Sequence, residues 1–266
     1  MDYGKIKRKS PDKETRVIAI MNQKGGVGKS TTAVNLSAAL GEKNHKVLVV
    51  DFDPQGNTTS GLGVDKNSVE KSVYDTILND VSATEAIQAS TSHNVFVLPA
   101  TIQLAGAEVE LVQAENRETR LKKAIDEVKD SFDYVFIDCP PSLGVLTINA
   151  LTAAKDILVP IQCEFYALEG VTKLMESVKM IKTSINPDLE IFGIVLTMYD
   201  KRTSLSKQVA DEVRGYFQKT VFKTVIPRNV RLSEAPSYGE SIFEYDKLSK
   251  GAQAYRDLAK EVVKRG

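Results

Sequence analysis

Residues 24–31 read Lys-Gly-Gly-Val-Gly-Lys-Ser-Thr, a combination of residue types that binds phosphate. Glycines allow backbone N–H groups a close approach to phosphate oxygens, which larger side chains would block. The pattern predicts a buried strand before this segment at 17–21 and a helix after it at 31–40, so a helix N-terminus would also face the phosphates. The segment therefore predicts a phosphate-binding loop for ATP or GTP.

The two lysines of this loop would have different contacts. Lys29 would contact the β- and γ-phosphates, and the hydroxyl of the neighbouring Ser30 would bind Mg²⁺. The usual pattern, Gly-x4-Gly-Lys-Ser/Thr, is not strictly matched, because its first position is Gln23 in this chain. An extra cation, Lys24, follows directly. We therefore expect a phosphate loop with one lysine more than usual.

Carboxylates stand at the ends of two other predicted strands. Asp51 and Asp53 follow the apolar run at 47–50, and Asp138 lies between an apolar run and Cys-Pro-Pro. An apolar strand that delivers an aspartate beside the phosphates is typical of a Walker B element. Mg²⁺ prefers one or two carboxylates with waters and phosphate oxygens, so Asp138 could act through a metal-bound water. Each segment alone could be a strand end with a helix cap, but together with the loop they predict a magnesium-nucleotide site.

The elements that must position these residues alternate along the chain. Continuous Val, Ile and Leu runs without polar alternation are typical of strands buried on both faces. The sequence therefore predicts an α/β, doubly wound fold with a largely parallel sheet, helices on both faces and ligands at the carboxyl ends of the strands. Strands are predicted at 17–21, 46–50, 95–99, 134–138, 157–161, 191–197 and 224–226, and helices at 117–129, 143–154, 168–184, 204–217 and 251–264.

Length and charge are compatible with one large domain. A chain of 266 residues can bury roughly three quarters of its unfolded surface without a metal or a disulfide. We expect a single nucleotide-binding domain at 17–266 after a flexible basic tail at 1–16. Lysine plus arginine and aspartate plus glutamate balance at 35 each. Nucleic-acid binding would therefore need a local basic patch.

Several classes of protein are disfavoured by the sequence. Cys139 and Cys163 have no metal-ligand spacing, and the histidines are His45 and His93, which argues against structural zinc. No apolar segment follows the polar start, so a secretory signal is not expected. No run approaches the roughly 18 apolar residues of a spanning helix. We expect a cytoplasmic protein without a membrane partner.

Three motifs resemble the deviant Walker A ATPases and, most closely, the ParA/Soj chromosome-partitioning ATPases. They are the loop at 24–30, Asp-Phe-Asp-Pro-Gln-Gly-Asn at 51–57 and Asp-Cys-Pro-Pro-Ser at 138–142. Further Soj-like sequence lies at 99–108, 162–170 and 224–236. The resemblance spans 17–265 and implies that the domain at 17–266 is a ParA-type P-loop ATPase.

The resemblance implies a Mg²⁺-dependent enzyme that hydrolyses ATP to ADP and phosphate and forms a homodimer with ATP. Lys24 would reach the partner subunit's nucleotide, Lys29 would bind its own, and Asp53 would orient or activate the attacking water. Magnesium would be held by Ser30, Asp51 and Asp138. The segments at 197–198 and 227–229 would lie near adenine, the family's base, although these residues alone do not exclude guanine. The implied nucleotide contacts are Lys24, Gly25, Gly26, Val27, Gly28, Lys29, Ser30, Thr31, Met198, Pro227, Arg228 and Asn229.

The resemblance also implies non-specific binding of double-stranded DNA by the dimer, and a ParB-type centromere-binding partner that stimulates hydrolysis. The protein would then associate with the nucleoid and serve a chromosome or a plasmid. Phosphate contacts need only positive charge on one face. The candidate contacts are Arg202, Arg231, Lys201, Lys207, Lys223 and Lys247.

Three other functions are compatible with a nucleotide site of this kind. A MinD-like membrane ATPase would need an amphipathic C-terminal membrane helix, whereas the apolar stripe at 252–262 is typical of a packed helix. An iron–sulfur carrier would need paired cysteines, and a non-enzymatic scaffold would bind nucleotide without releasing phosphate. Sixteen residues before the first predicted strand leave no room for an N-terminal helix-turn-helix region, so we do not expect operator-specific repression.

Overall fold

The apolar runs of the sequence form one sheet of eight strands in the computed structural model, which describes residues 14–164 and 167–265. All seven predicted strands are present, with ends that differ by up to three residues. The strands are β1 (Arg16–Ile20), β2 (Val47–Asp51), β3 (Gln88–Ala89), β4 (Val95–Leu98), β5 (Tyr134–Asp138), β6 (Asp156–Gln162), β7 (Glu190–Tyr199) and β8 (Val221–Pro227).

The strand order in the sheet is β3-β4-β2-β5-β1-β6-β7-β8. Every neighbouring pair runs parallel except β3 with β4, which is antiparallel. The predicted, largely parallel sheet is therefore confirmed, and among the strands of the described residues the apolar pattern missed only the two-residue edge strand β3. Because β3 is short and polar, nothing in its sequence distinguishes it from a loop.

Helices lie on both faces of the sheet, as predicted. In β1, Val17 and Ala19 pack into one core while Ile18 and Ile20 pack into the other, which is the period of two expected for a strand buried on both sides. The helices are α1 (Lys29–Glu42), α2 (Asn57–Gly61), α3 (Val73–Leu78), α4 (Ala83–Ala86), α5 (Leu104–Glu110), α6 (Arg120–Val128), α7 (Val145–Ala153), α8 (Ala167–Ser184), α9 (Ser204–Phe217), α10 (Val230–Glu234), α11 (Ile242–Tyr245) and α12 (Lys250–Arg265).

The two cores have different helices over them. Apolar side chains of α3 to α9 fill the first core, and those of α1, α10, α11 and α12 fill the second. The apolar stripe of α12 is buried against α1 and β8, so this helix packs in the core as predicted. In the part of the chain that the structure describes, no helix is long and apolar enough to span a membrane.

Tertiary contacts accompany two of the boundaries that differ from the sequence-based prediction. The helix predicted from residue 117 begins at Arg120, because Asn149 of α7 bonds to the backbone N of Leu121 (3.2 Å) and the carbonyl of Arg117 (2.6 Å). Of the tail predicted at 1–16, residues 1–13 lie outside the part of the chain that the structure describes. Its last two residues belong to the fold, since Arg16 starts β1 and Thr15 bonds to the carbonyls of Lys129 and Phe132.

Candidate nucleotide site

Strand order explains why residues distant in sequence meet at one edge of the sheet. Strand β5 lies between β1 and β2, and all three run parallel. Asp51 and Asp138 end neighbouring strands in register, and Ile20, the last residue of β1, is level with Asp138. The loop at 24–31 therefore starts beside both aspartates. This is the edge where open α/β sheets bind ligands.

The phosphate loop is held in shape by contacts from other elements. Gly26 and Gly28 have φ of 73° and 90°, a left-handed conformation that favours glycine. The hydroxyl of Thr197 donates to the carbonyl of Val27 at 2.8 Å. Asn22 accepts from the backbone N of Lys24 and donates to the carbonyl of Pro160. The loop is therefore held in this conformation by contacts with Thr197, Asn22 and Pro160.

Lys29 is the first residue of α1, and its side chain is buried at this edge. Its Nζ donates to the carbonyl of Lys24 at 3.4 Å. Burial lowers the pKa of Lys29, and the nearby carboxylates of Asp138 and Asp53 oppose that effect. Within the described residues this carbonyl is the one hydrogen-bond acceptor of the buried Lys29 Nζ, so the ammonium group is well placed to exchange it for phosphate oxygens.

Asp51 and Asp138 are both fully buried. Asp51 Oδ2 accepts from the backbone N and the hydroxyl of Thr59 (2.7 and 2.6 Å), while Asp138 Oδ2 accepts from the hydroxyl of Thr58 (2.6 Å). Burial raises the pKa of both carboxyl groups, and the charge of Asp138 raises that of Asp51 further. Two buried carboxylates side by side are stabilised by a bound cation.

The residues present fit a magnesium ion. Asp138 Oδ1 is buried and has no hydrogen-bond partner within the described chain, and Ser30 is among the groups that act on the pKa of Asp138. No group of three or more Asp, Glu, His or Cys in residues 14–164 and 167–265 could hold a metal alone. A metal here would therefore take part of its shell from nucleotide and water, which is how Mg²⁺ is usually bound.

Asp53 and Lys24 lie at the open side of the site. Asp53 is half-buried and accepts from the backbone N of Gln55 at 3.0 Å. Lys24 is half-exposed, with its Nζ 3.7 Å from Glu164 Oε2, and Arg228 lies 3.5 Å from the other oxygen of Glu164. Exposed ion pairs contribute about 0–1 kcal/mol. Lys24 is therefore free to leave Glu164 for a stronger anion.

A cavity of about 390 Å³ adjoins the phosphate loop. Met198, predicted near the base, has a φ of 51°, which is uncommon for a residue with a side chain and frequent at functional sites. The cavity could receive the base and ribose of a nucleotide. Its lining includes Gly28 and Thr31 of the loop and the four residues predicted near the base: Met198, Pro227, Arg228 and Asn229.

The predicted DNA contacts are all exposed and lie on several elements. Lys201 and Arg202 line a groove of about 770 Å³ together with Arg228 and Lys250. Arg231 lies on α10, where it is paired with Glu234 at 3.0 Å and Asp246 at 3.6 Å. The other three are spread over different elements, namely Lys207 on α9, Lys223 on β8 and Lys247 before α12.

Several residues at the site have no role in the sequence-based prediction, among them two threonines and a glutamate. Thr58 and Thr59 contact the two buried aspartates, and Glu164 contacts Lys24. The threonines could have been predicted from the sequence, because two adjacent residues with hydroxyl groups directly follow the motif at 51–57. Glu164 lies in the Soj-like segment at 162–170, but its contact with the loop depends on tertiary structure.

Comparisons with known proteins agree with the motifs. A family model described as an AAA domain matches residues 15–191. The chain is 57% identical over 251 residues to sporulation initiation inhibitor protein Soj of Bacillus subtilis (strain 168), covering 94% of this chain and 99% of Soj. It is 50% identical over 250 residues to chromosome partitioning protein ParA of Myxococcus xanthus (strain DK1622), covering 94% and 88%.

A solved structure is similar over the same extent. Cobyrinic acid a,c-diamide synthase from Mycobacterium smegmatis, with bound ADP and magnesium, has a TM-score of 0.82 at 41% identity and covers 94% of each chain. The resemblance predicted from three motifs is thus confirmed along almost the whole sequence. The chain belongs to the Soj/ParA family of chromosome-partitioning ATPases.

Proposed function

We propose that this chain is a DNA-partitioning ATPase in which ATP drives dimerisation and non-specific DNA binding. Hydrolysis, stimulated by a ParB-type partner, returns the dimer to monomers in the cytoplasm. The observation that carries the proposal is the convergence of the loop at 24–31 with Lys29, Asp51 and Asp138 at one sheet edge, in a chain 57% identical to Soj.

Each part of the site has a task in this proposal. The backbone of the loop and Lys29 bind the phosphates, and the cavity with Met198 and Pro227 takes the base. A magnesium ion, held by Ser30 and through water by Asp51 and Asp138, would neutralise charge on the β- and γ-phosphates.

Hydrolysis in this proposal depends on positioned charge. Asp53 orients the attacking water, and Lys24 leaves Glu164 to reach the nucleotide of the partner subunit. Phosphoryl transfer has a loose transition state, so charge held in place contributes more than covalent catalysis. Because Lys24 acts across the dimer, hydrolysis requires two subunits.

Gly25→Val is expected to bind ATP with about parental affinity but to form no ATP-dependent dimer. In the described chain no heavy atom lies within 4 Å of a Cβ built at Gly25, and its φ is outside the left-handed range, so the monomer accommodates the side chain. The branched side chain would project where two phosphate loops meet. Size-exclusion chromatography with ATP tests dimerisation, and titration with a fluorescent ATP analogue tests binding.

Gly215→Val is the matched control, because Gly215 also has open space around its Cβ but lies on α9, away from the loop. This variant should dimerise like the parent. A normal ATP-dependent dimer of Gly25→Val would contradict face-to-face packing of the loops, and loss of ATP binding would show that the defect is within the monomer.

The DNA contacts of this proposal are exposed arginines that already bind carboxylates. The guanidinium of Arg202 makes two hydrogen bonds to Asp200, at 3.0 and 2.7 Å, and Arg231 is paired with Glu234. Both guanidinium groups remain exposed beside these carboxylates, so a DNA phosphate can approach them and exchange with the carboxylate. A dimer would present each arginine twice, and the contacts would add.

Non-specific duplex should therefore bind much more tightly with ATP than with ADP or without nucleotide. Arg231→Ala should weaken binding to all sequences alike, by roughly tenfold, since each dimer loses two charge-assisted contacts. The slope of log affinity against log salt should fall by about 1 for each lost contact. Fluorescence anisotropy with labelled duplex over a salt series measures both quantities.

Arg202→Ala should have the same effect, while Arg117→Ala is the control. Arg117 is a half-exposed arginine paired with Glu118 at 2.8 Å and lies before α6. Its removal should leave the salt slope unchanged. Parental DNA binding by both Arg202→Ala and Arg231→Ala, or equal binding by the parent with and without ATP, would count against the proposed function.

A further inference from the structure

The two threonines that follow the motif at 51–57 contact the buried aspartates directly. We propose that Thr58 and Thr59 are positioning residues, which orient Asp138 and Asp51 toward the magnesium nucleotide and tie the segment that carries Asp53 to them. This inference rests on the proposed function, because it takes both aspartates to act at the metal.

Thr58 fixes one oxygen of Asp138 and leaves the other available. Its hydroxyl donates to Asp138 Oδ2 at 2.6 Å, and both side chains are fully buried. Asp138 Oδ1 has no partner in the described part of the chain. A carboxylate can rotate about its terminal bond, so a hydrogen bond to one oxygen determines where the other one points. Without the Thr58 hydroxyl, this orientation would depend on packing and on the nearby side chain of Ser30, which also acts on the pKa of Asp138.

Thr59 holds Asp51 in a comparable way and links it to a third strand. Its hydroxyl donates to Asp51 Oδ2 at 2.6 Å and accepts from the backbone N of Ala100, just after β4, at 2.9 Å. Its backbone N donates to the same carboxylate oxygen at 2.7 Å. Asp51 is therefore fixed from α2 and connected to the end of β4.

The same contacts anchor the segment from Asp53 to Thr59 at both ends. At its start, the backbone N of Asp53 donates to Asp51 Oδ1 at 3.3 Å. At its end, the threonines bond to Asp51 and Asp138. The turn between them contains Gly56, which has a φ of 61°. Asp53 therefore keeps a defined position relative to both carboxylates, as a water-orienting group requires.

The test compares Thr58→Val with Thr58→Ser, since valine keeps the shape without the hydroxyl and serine keeps the hydroxyl. The probe is a fluorescent ATP analogue titrated with MgCl2, and a second titration in EDTA reports binding without metal. For Thr58→Val we expect the half-saturating Mg²⁺ concentration to rise about tenfold, the usual effect of removing a partner of a metal ligand. Thr58→Ser should stay within about threefold of the parent, and binding in EDTA should be equal in all three proteins.

Thr59→Val should raise the half-saturating Mg²⁺ concentration similarly and should also lower the melting temperature without ligand, because Ala100 loses its acceptor. Thr76→Val is the matched control. Thr76 is a buried threonine on α3, and its hydroxyl donates to the carbonyl of Ser72, the residue before that helix. This variant should lower the melting temperature while the Mg²⁺ dependence stays parental.

Three outcomes overturn the inference, and they are distinguishable. If Thr58→Val only melts earlier and keeps the parental Mg²⁺ dependence, or if serine does not restore it, the threonine is structural. If the parent itself binds the analogue equally with MgCl2 and with EDTA, the proposed function fails and the inference fails with it.

Discussion

Replacing Lys29 by alanine should weaken binding of a fluorescent ATP analogue about 100-fold or more. Lys29 is buried beside Asp138 at the start of α1, where its Nζ has only the carbonyl of Lys24 as an acceptor in the described chain. A charge-assisted hydrogen bond contributes about 1.5–3 kcal/mol, and this lysine would make at least one to each of two phosphates. Without Lys29, the phosphates would be bound only by the backbone N–H groups of the loop and by the N-terminus of α1.

Lys24→Ala should impair hydrolysis and dimerisation, whereas Lys29→Ala should impair nucleotide binding. Lys24 is half-exposed and, among the described residues, is paired only with Glu164 at 3.7 Å, so its removal should change analogue binding by less than about threefold. ATP hydrolysis and productive dimerisation should be lost, because the lysine acts on the partner's nucleotide. Equilibrium titration, phosphate release and size-exclusion chromatography separate the two variants.

Lys71→Ala is the control for removing a lysine as such, because Lys71 forms an exposed ion pair with Glu85 away from the loop. It should behave like the parent in all three measurements. If Lys24→Ala and Lys29→Ala bind the analogue equally weakly, the assignment of one lysine to each subunit's nucleotide is wrong.

Asp53→Ala is expected to leave ATP bound and to slow its hydrolysis by about 10²–10⁴, the usual contribution of a group that takes part in proton transfer. Asp53 makes no hydrogen bond to the loop at 24–31 among the described contacts, and its carboxylate accepts from Gln55. The phosphate cradle should therefore remain intact. Without hydrolysis, a dimer should persist in ATP, which size-exclusion chromatography detects.

Asp53→Asn keeps the shape of the side chain and can still accept from the backbone N of Gln55. It therefore separates the effect of losing the charge from the effect of losing the hydrogen bond of the turn. It should be nearly as slow as the alanine variant. Asp65→Ala is a matched control, because Asp65 accepts from the backbone N of Asn67, also two residues ahead and also at 3.0 Å. Unchanged phosphate release by Asp53→Ala, or only monomer in ATP, would exclude the proposed role.

The sequence predicted most of the sheet and the outline of the site. Runs such as Val47–Val50 and Tyr134–Ile137 can be recognised as buried strands because their burial is encoded in local composition. Once the sheet is parallel, residues at the carboxyl ends of strands share one edge. The positions of Asp51, Asp138 and the loop at one edge therefore followed from sequence alone.

Strand order and side-chain partners were accessible only in the tertiary structure. Strand β5 inserts between β1 and β2, and this places Asp138 next to Asp51 although 87 residues separate them. Thr58 meets Asp138 across 80 residues of sequence. Such contacts depend on how distant segments pack, and no local propensity encodes them. The ion pair of Arg231 with Asp246 is equally a matter of tertiary structure, because only the fold brings the carboxylate of α11's C-cap within reach, whereas Glu234 lies just three residues ahead of Arg231 in sequence.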